Sequence, residues 1–83
     1  MSVVYSWKKK ANIDAWLYEP EEGKLQMGSL IGIVYHPPNF EPNQWLWEVR
    51  KVGGTIPVNE GIEETSRAAK DAVEGEVKWR TST

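Results

Sequence analysis

The chain has 83 residues, no cysteine and a formal charge of −2 from ten basic and twelve acidic side chains. The missing cysteines exclude a disulfide framework and every thiolate metal site, and the acidic balance disfavours a duplex-DNA binder, whose phosphate affinity needs clustered Lys and Arg. A chain this short is expected to form one domain, and folding removes only about 60 to 65% of its accessible surface.

The five tryptophans therefore carry unusual weight, since each buried Trp hides roughly 150 to 250 Å². At the amino terminus Met1 to Trp7 precede the basic run Lys8-Lys9-Lys10, the wrong order for a secretory signal. No apolar run approaches the roughly 20 residues that span a bilayer. A soluble, cytoplasmic protein is expected.

Residues 3 to 9 alternate, with Val3, Tyr5 and Trp7 on one side and Val4, Ser6 and Lys8 on the other, the period of a half-buried strand. The lysine run reads as a solvated strand end that discourages edge pairing. Ala11-Asn12 reads as a turn. A second run, Ile13 to Tyr18, places Ile13, Ala15 and Leu17 on one face and Asp14, Trp16 and Tyr18 on the other, closing a hairpin; Pro20-Glu21-Glu22-Gly23 follows as a turn.

The clear core of a third strand is Ser29 to Tyr35, apolar on both faces through Leu30 and Val34 and through Ile31, Ile33 and Tyr35. Doubly apolar runs belong to central strands, and Gly28 and Gly32 mark a bulge or a close approach. The proline-rich stretch from His36 to Asn43 cannot continue the sheet. Gln44 to Val52 forms a fourth strand with Trp45, Trp47 and Val49 on one face and Leu46, Glu48 and Arg50 facing away. Gly53-Gly54 is a two-residue hairpin signal, so Thr55 to Val58 is expected to pair back as a short fifth strand, at an edge because of Pro57.

The last element is a helix. Thr65 suits the N-cap, Glu63 and Glu64 sit ahead of its positive end, and Ala69, Ala72, Val73, Glu76 and Val77 recur at helical spacing. A start at Asn59 is the alternative. Gly75 either ends the helix or is tolerated within it, and Trp79 is expected to fold back onto the core. The expected fold is α+β, an antiparallel β-meander of four to five strands with one C-terminal helix packed on one face.

Across residues 44 to 74, Trp45-x-Trp47-x-Val49, Gly53-Gly54, Gly61 and Thr65-x-x-x-Ala69-Lys70-x-Ala72-Val73-Glu74 resemble a pattern of short phage and prophage proteins of unknown role. The helix register is also similar to that of HicB-type antitoxins, without their continuation into a DNA-binding segment. The first resemblance implies an origin and brings no catalytic residues.

Chemistry has few carriers here. His36 is the one histidine, and a loop histidine without a paired nucleophile makes a poor general base. A metal site would need His36 together with carboxylates such as Glu41, and no ligand spacing commends one. The carboxylate pairs Glu21-Glu22 and Glu63-Glu64 fall at a turn and a helix start, and Gly53-Gly54 lacks the Lys-Ser/Thr of a phosphate loop. The expectation is a non-enzymatic protein without cofactor, metal or small-molecule substrate.

One helix covers one face of a sheet. If Trp45, Trp47, Val49, Ile31, Ile33 and Tyr35 line the helix side, then Trp16 or Leu17, Leu30, Val34 and Leu46 remain for the other, an apolar patch of the kind that marks an interface. The expected partner-binding residues are Trp7, Trp16, Tyr18, Leu30, Val34 and Leu46, and the expected partner is a protein, another or a second copy. The alternative is a single-stranded nucleic acid stacked on Trp7, Trp16 or Tyr18, with Lys8, Lys9, Lys10, Lys24 and Arg50 along its phosphates. A third possibility is a phage component presenting acidic Glu19 to Glu22 and Glu60 to Glu64 to a basic target.

Overall fold

The computed structural model describes residues 4–10, 13–21 and 23–81. Five strands, β1 (Tyr5–Lys9), β2 (Ala15–Pro20), β3 (Leu30–Tyr35), β4 (Trp45–Lys51) and β5 (Asn59–Glu63), precede one helix, α1 (Ser66–Thr81). Strand order in the sheet follows chain order and every pairing is antiparallel. The result is the expected α+β meander with a helix on one face. The turn expected at Ala11-Asn12 and a strand start at Val3 lie outside the described residues.

Register fixes which side chains share a face, because residues directly opposite in an antiparallel pair point the same way. Trp7 lies opposite Tyr18, Trp16 opposite Val34 and Tyr18 opposite Gly32, Gly32 opposite Val49 and Val34 opposite Trp47, and Trp47 opposite Gly61. These residues form the helix side, on which α1 packs over β3, β4 and β5. Leu30, Val34, Trp47 and Val49 meet Ala69, Val73 and Val77 of the helix in one core. The helical residues recur every fourth position, a single narrow stripe. Val34, Val49 and Val73 are fully buried, each contributing about 1.5 to 3 kcal/mol.

Two glycines let these layers approach. A Cβ on Gly32 would collide with Val73 Cγ1 and lie 3.3 Å from the Tyr18 Cβ, so glycine is what brings α1 down onto β3. On β5, a Cβ at Gly61 would lie 2.8 Å from Trp47 Nε1. The Trp47 indole rests on that bare backbone and donates its N–H to Glu63 Oε2 at 3.2 Å.

The helix begins as expected, with Thr65 Oγ1 accepting the Ala68 N–H at 3.0 Å. Lys78 and Arg80 occupy its last turn, where cations complement the helix dipole. Gly75 is tolerated inside it. Trp79, expected to fold back, is instead 64% exposed, since its position lies off the stripe of Ala69, Val73 and Val77.

Two further expectations are corrected. The fifth strand is not Thr55 to Val58 but Asn59–Glu63. Past β4 the chain stays bound to the approach of β3, with the Val52 N–H donating to Ser29 at 2.8 Å and the Gly28 N–H donating to Val52 at 3.1 Å. A turn then closes from the Gly54 N–H to the Lys51 carbonyl at 2.9 Å, with Gly53 at φ 89°, a conformation that favours glycine. Pro57 has no N–H for the ladder, and pairing resumes only when the Val58 N–H reaches Val49.

The second correction concerns faces. Ile31, Ile33 and Tyr35 do not share the helix side with Trp45, Trp47 and Val49; Leu30 and Val34 do. The proline-rich connection from β3 to β4 leaves strand parity open in the sequence, and a one-residue change of register exchanges the faces completely.

Candidate functional site

The six expected partner-binding residues divide between two surfaces. Leu30, at 7% exposure, and Val34, at 0%, lie in the core beneath α1 and offer no docking area. Trp7, Trp16 and Tyr18 lie on the helix side, packed against the core beside α1. Leu46 alone lies on the opposite face, directly across from Tyr35.

The rings beside the helix fill one another's faces. Tyr5 stacks on Tyr18 at a centroid separation of 4.9 Å, and Trp7 leans on Tyr18 at 4.7 Å. The Trp7 indole N–H donates to Glu74 Oε2 at 2.7 Å. Lys70 Nζ lies 3.4 Å from the Trp16 ring centroid and 5.5 Å from that of Trp7, within cation–π range. The Tyr5 hydroxyl donates to the Leu30 carbonyl at 2.9 Å. Burial raises the Tyr5 phenol above its ordinary pKa; burial, then the Glu74 carboxylate and Tyr5, raise that of Tyr18. Both rings are held neutral well past physiological pH. This group clamps β1 and β2 to the helix.

The other face of the sheet carries Leu17, Ile33, Tyr35, Leu46 and Ile62 in mutual opposition: Leu17 faces Ile33, Tyr35 faces Leu46 and Leu46 faces Ile62. Ala15 sits opposite Tyr35 and Ile31 opposite Arg50. None of these side chains joins the helix-side core. Leu17, Ile31, Ile33, Tyr35 and Leu46 are partly exposed, and Ile62 is 56% exposed. Among the described residues, the one helix lies on the far side of the sheet.

Charged residues frame this apolar block. Lys8 pairs with Glu19 at 3.3 Å and Arg50 with Glu48 at 3.1 Å. Glu60 stands directly across from Glu48, a like-charge pairing that costs stability in a sheet. The Arg50 guanidinium offsets part of that repulsion. The arrangement of an apolar centre with a charged rim is that of protein interfaces.

Chemical groups are sparse. The His36 Nε2–H donates to the Glu41 backbone carbonyl at 2.8 Å, and its ring lies 5.0 Å from Trp45, so the imidazole braces the proline-rich loop. Among the described residues no three His, Asp or Glu side chains gather as a metal site, and no helix is long and apolar enough to cross a membrane.

Sequence reasoning missed Ile31, Ile33, Tyr35 and Ile62 as surface residues and named Leu17 only as an alternative to Trp16. The alternation within each strand separated them correctly. What it lacked was one cross-strand pairing, Val34 to Trp47. No protein-family model matches the chain, and no curated protein or solved structure matches it.

Proposed function

We propose that this protein is a non-enzymatic interaction module that docks onto protein through its open sheet face. The observation that carries the reading is the apolar block of Leu17, Ile31, Ile33, Tyr35, Leu46 and Ile62 on the side of the sheet that α1 does not cover. Apolar surface of this kind gains about 25 cal/mol per Å² when it is removed from water. Tyr35 supplies a rigid ring near the centre, the residue type most often found to anchor interfaces.

Single-stranded nucleic acid has less support, because Trp7, Trp16 and Tyr18 spend their ring faces on one another, on Tyr5 and on Lys70. As an accessory protein of phage or prophage, the origin implied by the Trp45-x-Trp47 strand and the alanine-rich helix, the module would act by occupying another protein's surface.

Hydroxyl-radical footprinting tests the reading, with dilute protein as reference and concentrated protein or added cell extract as the two docking conditions. Protection is expected at Tyr35, Leu46 and Ile62, with Trp79 on the helix side unchanged. Unchanged labelling of the open face under both conditions would defeat it.

A further inference from the structure

We infer that the occupant of the open face is a second copy of this chain, related by a two-fold axis along β3 that sets Lys8 against the partner subunit's Glu60 and Glu19 against the partner subunit's Arg50. The inference rests on the docking role proposed above and names its partner. Its basis is the order of charges across the sheet. One row of mutually opposite residues reads Lys8, Leu17, Ile33, Glu48, Glu60 from β1 to β5: basic at one edge, acidic at the other, apolar in the middle.

A two-fold axis lying between two facing sheets and running along β3 reverses strand order and keeps position along the strands. The row then meets its own reverse. Lys8 lies over Glu60, Ile33 over Ile33, and Leu17 over the methylenes of Glu48, whose carboxylate is held aside by Arg50. In the next row, Ala15, Tyr35, Leu46 and Ile62, Tyr35 meets Tyr35 and Ala15 accommodates Leu46. Glu19 lies two residues beyond Leu17 and Ile31 two before Ile33, so Glu19, Ile31 and Arg50 form the third row, in which Glu19 meets Arg50 and Ile31 meets itself. The twist of each sheet turns the pair by about 30°, which leaves the β3 contacts on the axis in place, and the long side chains of Lys8, Glu60, Glu19 and Arg50 span the displacement that the turn produces toward the edges.

Other two-fold arrangements place like charges together. An axis across the strands sets Lys8 on Lys8 and Glu60 on Glu60. Pairing by identical edges joins either two copies of β1, with Lys8 and Lys9, or two copies of β5, with Glu60 and Glu63; charged edges of one sign resist such addition. A symmetric dimer uses the same patch on both copies, and the face pairing along β3 is the arrangement in which this patch complements itself. Five strands about 4.8 Å apart and six residues at about 3.3 Å cover roughly 400 Å² in projection, small beside the about 800 Å² per partner of a standard interface. The association is therefore expected in the micromolar range.

Sedimentation velocity and light scattering of the full chain from about 10 to 500 μM, in low salt because rim charges are screened, test the proposal. The wild type is expected to dimerise. Lys8→Glu and Glu60→Lys, each checked for native circular dichroism, are each expected to weaken the dimer at least about tenfold, since each reversal acts twice in a two-fold pair. An equimolar mixture of the two variants is expected to recover dimers to near the wild-type level, because each copy then presents the opposite charge to the other. A wild-type monomer at 500 μM overturns the second copy as occupant and leaves docking to a different protein standing. Variants that fail to rescue one another overturn the two-fold arrangement. A dimer that survives Ile33→Asp, or Leu17→Asp should the first substitution unfold the chain, forms through another surface and overturns this inference, while the docking role of the face stands or falls on the footprinting.

Discussion

Gly32 occupies the sheet position on which the helix rests, and the space that it leaves is filled by Val73 and the Tyr18 Cβ. A methyl group there pushes the layers apart, and overpacking of this kind costs about 1 to 3 kcal/mol. Gly32→Ala is expected to lower the urea midpoint accordingly, while Gly32→Ala combined with Val73→Ala loses less than the sum of the two single changes, because the smaller helix residue makes room for the added methyl. Additive losses in that double-mutant cycle would show that the contact does not set the distance between layers. The same closeness explains why a helix whose stripe is only Ala69, Val73 and Val77 suffices: small side chains on both partners bring the backbones together, so little side-chain volume fills the gap. Gly61 plays the matching part on β5, where bare backbone seats the Trp47 ring.

At the scale of elements, the helix separates local from tertiary contributions. Its N-cap bond from Thr65 is exposed, and Thr65→Ala is expected to cost about 1 kcal/mol. Gly75 is exposed with open space around its Cβ position, so Gly75→Ala is expected to gain about 0.5 to 1 kcal/mol. Thermal melts of the two variants should move in opposite directions; a shared direction would show that Gly75 answers a need other than helix propensity. The N-cap was legible in the sequence, as was the alternation of the first four strands, because each is set by residues within one turn or one pleat, whereas the sequence left Gly75 open between ending the helix and lying within it. The candidate surface was not legible, since its membership depends on how β3 meets β4 across a loop whose prolines fix local geometry but not strand offset. The fifth strand was displaced for a related reason: Gly53-Gly54 does form a tight turn, yet the bonds from Val52 to Ser29 and Gly28 hold the chain back from pairing at once.

For the whole molecule, the helix packs over β3, β4 and β5, while β1 and β2 are tied to it by Trp7 to Glu74, Lys70 over Trp16 and the stacked tyrosines. Few buried apolar contacts hold the first hairpin, and local opening follows low contact density. Amides of β1 and β2 are expected to exchange hydrogen faster than those of β3 and β4; uniform protection across the sheet would show the hairpin to be as firmly held as the core. Charge reversal at the hairpin's Lys8 then reports on association without touching the central packing. Strand order that follows chain order has a further consequence during synthesis. Each strand emerging from the ribosome finds its neighbour already waiting, so pairing proceeds without any long-range search. The helix that shelters Val34 and Val49 follows all five strands, however, and at about 5 to 20 residues per second the nascent sheet keeps both surfaces wet for a second or more, an interval in which a chaperone, or another nascent chain, can reach it first.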